Sequence, residues 1–118
     1  DVISLHPTLN PETRNMVDAS RLAQMKPRAL LINCARGPMV DNEALIEALQ
    51  KGAIAGAALD VTVPEPLPTD SPLFTLPNAI VTPHYAPTTL ESAMRTSQVA
   101  SENTIAVLSG KEPVGRIV

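Results

Sequence analysis

The amino-acid sequence predicts an α/β fold with a parallel sheet, which looks like half of a doubly wound domain. Apolar segments of strand length alternate with segments of helical spacing, in the order strand, helix, strand, helix, strand, loop, strand, helix. The apolar segments stop abruptly at polar residues or prolines, as expected for parallel strands. Helices between successive strands supply the crossover connections that parallel pairing requires, so the pattern favours a layered parallel sheet.

Four strands are predicted, and the first two are expected to be buried. The first strand ends at His6-Pro7, because proline has no N–H group to donate to a strand ladder. The third strand is rich in alanine and glycine, which indicates close packing against a helix or a ligand. The predicted strands are Asp1–Leu5, Ala29–Ala35, Ile54–Val61 and Ala79–Thr82.

Two helices are predicted between these strands from their capping residues. Asp18 caps a short helix over Ala19–Met25, and the carboxylate satisfies backbone N–H groups of the first turn. Asp41 caps a second helix, which Gly52 follows as a C-terminal glycine. The apolar face of the second helix comprises Ala44, Leu45, Ala48 and Leu49.

The last part of the chain is predicted to contain a loop, a long helix and a tail. Five prolines within residues 64–77 predict an ordered loop that is too proline-dense for a regular helix. Thr88 and Glu91 have the spacing of a capping box and open the last helix, which runs to Gly110. Its small, partly polar seam predicts close packing. Residues 111–118 are predicted to be an exit segment toward another domain.

Composition limits the classes of function. The 118 residues are 44% hydrophobic and 18% charged, which is typical of one globular domain or part of one. A net charge of -3 with no basic face argues against nucleic acid and anionic membranes as partners. No apolar run approaches the roughly 20 residues that cross a bilayer. The single cysteine excludes an internal disulfide framework and suits a reducing compartment, so a cytoplasmic location is predicted.

Two further expectations concern metal binding and completeness. Two histidines and one cysteine without close spacing do not form a metal site, so no metal is predicted. The chain begins in what reads as the middle of a strand, without an initiator methionine, so we expect a fragment of a longer protein.

Three side chains that could carry chemistry follow successive predicted strands. Arg36 follows the second strand, Glu65 the third and His84 the fourth. These strand ends share one edge of a parallel sheet, where α/β proteins place their ligands. An arginine can hold a carboxylate through two N–H groups and polarise a carbonyl. A histidine is a common general acid near neutral pH, and a bonded carboxylate fixes its orientation.

Each of these residues also has an ordinary structural explanation. An arginine after a strand is usually a surface ion pair, a glutamate between prolines is usually solvated, and a histidine near a strand end is often a structural hydrogen-bonding group. The position of all three at successive strand ends keeps a functional site open as the alternative.

Three other strand-end residues are candidates. Asp60 could accept a hydrogen bond from a ligand amide or cap the following turn. His6 could face the same crevice or serve a structural role. Cys34 has no base fixed beside it in sequence, so packing is favoured over a nucleophilic role. None of the five glycines forms the G-x-G-x-x-G phosphate loop, so the residues alone indicate a crevice for a small carboxylate and identify no cofactor.

Several long motifs in order resemble the D-isomer-specific 2-hydroxyacid dehydrogenases over essentially the whole chain. The region after the third strand, residues 60–68, is similar to the glyoxylate and hydroxypyruvate reductase branch. Glu65 stands where formate dehydrogenase relatives carry glutamine, which disfavours formate. The matching motifs are Leu5-His6, Pro11–Arg14, Asn33–Asp41, Gly56–Val61, Pro64–Pro66 and Thr82–His84.

This resemblance implies a role for each site residue. Arg36 would bind the substrate carboxylate and carbonyl, His84 would donate and accept the proton, and Glu65 would hydrogen-bond His84. The cofactor would be NAD or NADP, and Asp60 would contact the nicotinamide carboxamide. The implied cofactor contacts are His6, Thr13, Cys34, Ala35, Arg36, Asp60, His84 and Ala86.

The resemblance also implies the architecture and the partners. Residues 1–110 would be the C-terminal part of a Rossmann-type NAD(P)-binding domain in a two-domain protein, and the phosphate loop would lie upstream. The substrate would be a 2-keto or 2-hydroxy acid of the glyoxylate, hydroxypyruvate or 3-phosphoglycerate kind. The family is commonly dimeric through this domain, so a homodimer is expected. The 118 residues alone would be inactive.

Two alternatives to a dehydrogenase fragment remain at this point. One is a dehydrogenase-like corepressor that binds a dinucleotide to control protein association. The other is a non-catalytic remnant, which would give no turnover even with the upstream half restored.

Overall fold

The computed structural model describes residues 1–116 of the chain and contains a four-stranded sheet in that part. The strands lie in the order β1-β2-β3-β4, and each neighbouring pair is parallel. This arrangement confirms the predicted α/β fold. The strands are β1 (Val2–Leu5), β2 (Leu30–Asn33), β3 (Gly56–Leu59) and β4 (Ala79–Val81).

Two helices connect the first three strands. α1 (Ala19–Ala23) begins at Asp18, whose carboxylate accepts a hydrogen bond from a first-turn N–H group at 2.8 Å. α2 (Asn42–Gln50) begins at Asp41, whose carboxylate does the same at 3.0 Å. Gly52 follows α2 with a φ of +64°, a left-handed conformation that glycine adopts without strain. Both predicted N-caps and the C-terminal glycine are therefore confirmed.

The buried core lies between one face of the sheet and these two helices. Fully burying a leucine side chain contributes about 1.5–3 kcal/mol, so this layer stabilises the sheet strongly. The core residues from the strands are Leu5, Leu31, Ala57 and Leu59, and those from the helices are Leu22, Leu45, Ala48 and Leu49.

The opposite face of the sheet carries exposed apolar side chains. Val2, Leu30 and Ile80 are 59%, 44% and 66% exposed. The expectation that the first two strands are buried is therefore wrong in part: β1 buries only Leu5, and β2 leaves one face open. The reason is that α1 and α2 both pack on the same face.

All four predicted strands are longer than those observed. The ladder of β3 spans four residues, although Ile54 and Val61 on either side are also buried. Apolar character marks burial rather than ladder pairing, so the sequence could not separate the strand from its buried flanks. The same holds for Ala29, which is buried just before β2.

The proline-rich loop is ordered, as predicted. It contains a 3₁₀ turn at Pro72–Phe74, and the Ser71 side chain caps this turn. Leu73 in the turn is 1% exposed and belongs to the core. Leu67 and Leu76 also pack against the core, so the loop is anchored by several apolar side chains.

The long helix, α3 (Leu90–Leu108), begins one residue later than predicted. Thr89, not Thr88, is the N-cap, and its hydroxyl accepts a hydrogen bond from the Ser92 N–H group at 3.1 Å. The capping-box prediction is therefore wrong. No residue of α3 is buried, so the predicted close packing of its seam is not found among residues 1–116.

The tail after α3 is described as far as residue 116. The Asn103 side chain donates to the Val114 carbonyl at 3.1 Å and accepts from the Val114 N–H group at 2.9 Å. The last two residues of the predicted exit segment, 117 and 118, lie outside the described part of the chain.

Contacts divide the chain into two compact units, residues 1–85 and the segment from Ala86 onward. The predicted domain boundary at residue 110 stays a prediction. In the part of the chain that the structure describes, no helix has both the length and the apolar character to span a membrane.

Candidate active site

The carboxyl ends of the four strands meet at one edge of the sheet. Their last residues stand side by side in register, because Leu5 pairs with Asn33, Asn33 with Leu59, and Leu59 with Val81. Each strand is followed at that edge by at least one candidate residue. These are His6, then Cys34, Ala35 and Arg36, then Asp60, and then His84.

Glu65 and His84 form a close pair at this edge. The Glu65 Oε1 atom lies 2.6 Å from the His84 Nδ1 atom, and the two side chains are 42% and 39% exposed. The sequence placed these residues at two strand ends, and the structure brings them into contact. An ionised carboxylate can only accept a hydrogen bond, so Nδ1 carries the proton and Nε2 is the ring atom left for proton exchange.

The Glu65 carboxylate is held in its ionised form. The hydrogen bond from His84 is the largest cause that lowers the pKa of Glu65 below its ordinary value of 4.5. Partial desolvation acts in the opposite direction, and the Thr62 N–H group, 3.4 Å from Oε2, lowers the pKa further. The charge of Arg36 also contributes to the lowering. Glu65 is therefore a carboxylate at neutral pH, which fixes the donor role of His84 Nδ1.

The loop that carries His84 has an uncommon backbone conformation. His84 has a φ of +56°, in the left-handed region, where a residue other than glycine is destabilised by about 1–3 kcal/mol. Asp60, only 6% exposed, accepts hydrogen bonds on Oδ1 from the Thr82 hydroxyl at 2.5 Å and the Tyr85 N–H group at 2.7 Å. Of the two roles predicted for Asp60, the structure shows the turn-capping role.

A buried amide fixes the loop that carries Arg36. Asn33 is 1% exposed, its amide nitrogen donates to the Arg36 carbonyl at 3.0 Å, and its amide oxygen accepts from the Ala35 N–H group at 3.0 Å. The Arg36 guanidinium donates to the Ala35 carbonyl at 2.7 Å. The backbone on both sides of this arginine is thus tied to the end of β2.

Gly37 brings the Arg36 loop against the loop that carries Glu65. A Cβ atom at Gly37 would lie 1.9 Å from the Thr62 carbonyl oxygen, so only glycine permits this approach. Thr62 is the residue whose N–H group faces the Glu65 carboxylate. The close spacing of the loop that carries Arg36 and the loop that carries Glu65 therefore depends on Gly37 having no Cβ atom.

Two clefts open at this edge. A cleft of about 470 Å³ is lined by Asp60, Glu65 and His84, together with the apolar side chains of Leu67 and Phe74. A second cleft, of about 400 Å³, is lined among others by His6, Cys34, Ala35 and Arg36. The first cleft thus contains the His84 imidazole with two carboxylates, and the second contains the Arg36 guanidinium.

Three other predicted residues have specific surroundings. His6 Nε2 lies 2.8 Å from the Ser4 hydroxyl. Thr13 lines neither cleft, and its hydroxyl donates to the Thr8 carbonyl within a turn. Cys34 is exposed beyond the end of β2, so the packing role predicted for it is wrong. The cofactor contacts predicted for these residues, and for Ala86 at the start of the second unit, stay predictions.

Sequence reasoning missed three residues that shape this edge: Asn33, Gly37 and Thr82. Asn33 interrupts an apolar strand, which is a signal for a buried polar group with bonding partners. The other two gave no local signal, because their contacts join loops distant in sequence. Among residues 1–116 there is no group of three or more His, Cys, Asp or Glu side chains that could hold a metal ion.

Known proteins are similar to this chain in both sequence and fold. Residues 1–86 match the family model described as D-isomer specific 2-hydroxyacid dehydrogenase, NAD binding domain. A glyoxylate reductase of Thermofilum pendens is 49% identical over 113 residues, which are 96% of this chain and 33% of that protein. The chain therefore spans about a third of the length of this curated relative.

Solved structures agree with the sequence matches. The TT0316 protein of Thermus thermophilus is 51% identical, with a TM-score of 0.95 over all of this chain and 38% of that one. A D-lactate dehydrogenase of Lactobacillus jensenii, solved with NAD+, is 39% identical, with a TM-score of 0.93 over all of this chain and 39% of that one. With its parallel sheet and its imidazole–carboxylate pair at the strand ends, this chain belongs to the D-isomer specific 2-hydroxyacid dehydrogenase family, and residues 1–86 match its NAD-binding domain.

Proposed function

We propose that this chain is part of an NAD- or NADP-dependent enzyme that interconverts 2-keto acids and 2-hydroxy acids. Glyoxylate and hydroxypyruvate are the favoured substrates, in keeping with the similarity of residues 60–68 to that branch. The observation that carries the proposal is the 2.6 Å pair of Glu65 and His84 at the same sheet edge as Arg36. An acid–base pair beside a carboxylate-binding cation suits a small keto acid.

Arg36 supplies the substrate-binding part of this chemistry. Its guanidinium has a planar set of N–H donors that matches a carboxylate through two parallel hydrogen bonds. One of these groups donates to the Ala35 carbonyl, which fixes the side chain close to its own backbone. A positive charge beside the keto oxygen also stabilises the negative charge that develops there during reduction.

His84 supplies the proton. Glu65 accepts a hydrogen bond from the Nδ1–H group, which orients the ring and leaves Nε2 for the substrate. A protonated Nε2 can then donate to the keto oxygen as it becomes a hydroxyl group, and it can accept the same proton in the reverse direction. Because Glu65 stays ionised, it supports both directions without exchanging a proton itself.

The residues of this edge fit a nicotinamide cofactor by the chemistry of their groups. The cleft beside His84 combines apolar walls with a buried carboxylate at Asp60, which suits a flat ring with a carboxamide donor. When bound, the cofactor would supply the hydride for the keto carbon. The cofactor contacts proposed for His6, Thr13, Cys34, Ala35, Arg36, Asp60, His84 and Ala86 rest on the family resemblance.

The state of the protein that carries this function is also a proposal. The described residues hold the acid–base pair but no G-x-G-x-x-G loop for the cofactor phosphates. We expect the 118 residues to be inactive alone, and the active protein to be a cytoplasmic homodimer. No contact among residues 1–116 favours the corepressor or the vestigial domain over the enzyme.

The test is turnover by the complete polypeptide that the reading frame encodes. Reduction of glyoxylate and hydroxypyruvate with NADH and NADPH should be measured for the native protein and two arginine variants. Arg36→Gln should lower kcat/KM by about 100-fold or more, because a charge-assisted contact to the substrate is lost. Arg28→Gln, which removes an exposed arginine paired with Asp1, should change it by less than about twofold.

The same assay separates the alternatives. His84→Ala should abolish most turnover and leave the fold unchanged, since this side chain lies outside the buried core. A complete polypeptide that binds a dinucleotide but reduces no keto acid would favour the corepressor. One that neither binds a dinucleotide nor reduces a keto acid would favour the remnant.

A further inference from the structure

One acidic group at the site is more buried than the catalytic pair itself. Asp60 is 6% exposed and sits at the end of β3, which lies between β2 and β4. Its N–H group donates to the Asn33 carbonyl at 3.0 Å, so its backbone is tied to the sheet. A buried carboxylate needs hydrogen-bond donors around it, so the donors to Asp60 show which segments it holds in place.

Two of these donors lie on either side of His84. The Thr82 hydroxyl, two residues before it, lies 2.5 Å from Asp60 Oδ1, and the Tyr85 N–H group, one residue after it, lies 2.7 Å from the same atom. Both distances are short, as expected for hydrogen bonds to an ionised acceptor. One fixed oxygen atom therefore holds both ends of the segment that carries the imidazole.

The segment needs such an anchor because its backbone is strained. His84 has a φ of +56°, and its N–H group donates to the Thr82 carbonyl at 3.0 Å across a proline. Strained backbone at a functional residue persists only where the surroundings hold it. The N–H group of Thr82 also donates to the Leu59 carbonyl at 2.9 Å, so Thr82 joins the strained segment to the sheet through backbone and side chain together.

We propose that Thr82 is a positioning residue for His84, whose hydroxyl acts through the buried Asp60 carboxylate to hold the imidazole within reach of Glu65. Without the hydroxyl, Asp60 loses a short charge-assisted bond and one end of the segment loses its side-chain anchor. The imidazole then samples orientations in which Nδ1 does not meet Glu65. The kinetic consequence rests on the proposed function, whereas the geometric consequence does not.

The kinetic test compares three threonine variants in the complete encoded polypeptide. Thr82→Val keeps the shape and removes the donor, and Thr82→Ser keeps the donor. Thr104→Val removes the α3 hydroxyl that donates to the Ala100 carbonyl, which has no contact with Asp60. Thr82→Val should lower kcat by about tenfold with KM changed less than about twofold, while the other two stay within about twofold of native.

A spectroscopic test does not depend on turnover. The hydrogen-bonded Nδ1 proton of His84 should give a far-downfield resonance in the cofactor-free native protein, assigned by its loss in Glu65→Ala, which removes the acceptor. Thr82→Val should shift this resonance or broaden it beyond detection, and Thr82→Ser and Thr104→Val should leave it in place. If Thr82→Val does not fold, Thr82→Ala removes the same hydroxyl with a smaller side chain.

The outcomes are distinguishable. A native protein that reduces no keto acid overturns the proposed function, and the resonance then decides the role of Thr82 by itself. An unchanged His84 resonance in Thr82→Val overturns the positioning role whatever the activity. A loss of thermal stability in Thr82→Val with native kcat and a native resonance shows that the hydroxyl serves the fold alone, which also overturns it.

Discussion

The loops that carry Arg36 and His84 are fixed at the same sheet edge by opposite means. A neutral buried amide, Asn33, ties down the arginine loop, and Gly37 lets that loop press against its neighbour. A buried carboxylate, Asp60, ties down the histidine loop. A neutral amide both donates and accepts, so it can replace backbone pairing. A carboxylate only accepts hydrogen bonds, so it can bind several donors of one strained segment. The arginine loop is therefore held by neutral hydrogen bonds and close packing, whereas the histidine loop is held by hydrogen bonds to a carboxylate.

The largest effect is expected at the steric contact of the arginine loop. Gly37→Ala would place a Cβ atom 1.9 Å from the Thr62 carbonyl oxygen, so the two loops must separate. We expect a loss of about 3 kcal/mol in the free energy of unfolding, at the upper end of overpacking effects, with most activity lost. Chemical denaturation followed by circular dichroism would measure the stability.

Gly52→Ala provides the matched control for that prediction. A Cβ atom there meets nothing within 4 Å, so its effect comes only from the positive φ, and we expect a loss of about 1 kcal/mol with native activity. Equal stability losses in the two variants would contradict a steric role for Gly37.

The next effect tests the neutral anchor. Asn33→Leu removes both hydrogen bonds to the arginine loop and leaves the Ala35 N–H group and the Arg36 carbonyl without this partner. We expect a loss of about 2 kcal/mol in the free energy of unfolding and a raised KM for the keto acid, because the loop that holds Arg36 is freed. Steady-state kinetics beside thermal unfolding would measure both quantities. A native KM would show that Asn33 does not position the arginine.

The smallest effect tests the charge of Glu65 in its pair with His84 through pH. The pKa of Glu65 lies below its ordinary value of 4.5 when the protein is folded, so its contribution to stability is fully present above pH 4.5. That contribution is lost as the pH falls through the lowered folded-state pKa. Glu65→Gln removes it at every pH, so the difference in melting temperature between native protein and variant should shrink below pH 4.5. A difference that stays constant down to about pH 2 would contradict this role.

Sequence reasoning was strongest where one residue determines one local feature. Asp18 and Asp41 identified two helix starts, and Gly52 identified a helix end, because capping is decided within a few residues. The fold class followed from the alternation of strand and helix patterns. The N-cap of α3 was missed because Thr88 and Thr89 offer the same hydroxyl one residue apart.

The individual residues of the candidate site could be predicted from the sequence, but the contacts between them could not. Arg36, Glu65 and His84 were found because each follows a strand, and the parallel sheet brings those ends to one edge. The links among them depend on contacts between residues distant in sequence, such as Thr82 with Asp60 and Gly37 with Thr62. The burial of β1 was overestimated because an apolar strand has the same sequence pattern whether other elements pack on one of its faces or on both.

The position of β4 has a consequence for how the contact between His84 and Glu65 responds to warming. β4 pairs only with β3 among the described strands, it has three residues, and Ile80 in its middle is 66% exposed. Its backbone amides should therefore exchange with deuterated solvent faster than those of β2, which pairs on both sides and contains a fully buried Leu31. Since only Thr82 and Pro83 separate β4 from His84, local opening of this edge would disconnect the imidazole from Glu65 while the core stays folded. The contact between His84 and Glu65 is then expected to be lost at a temperature below that at which the core unfolds.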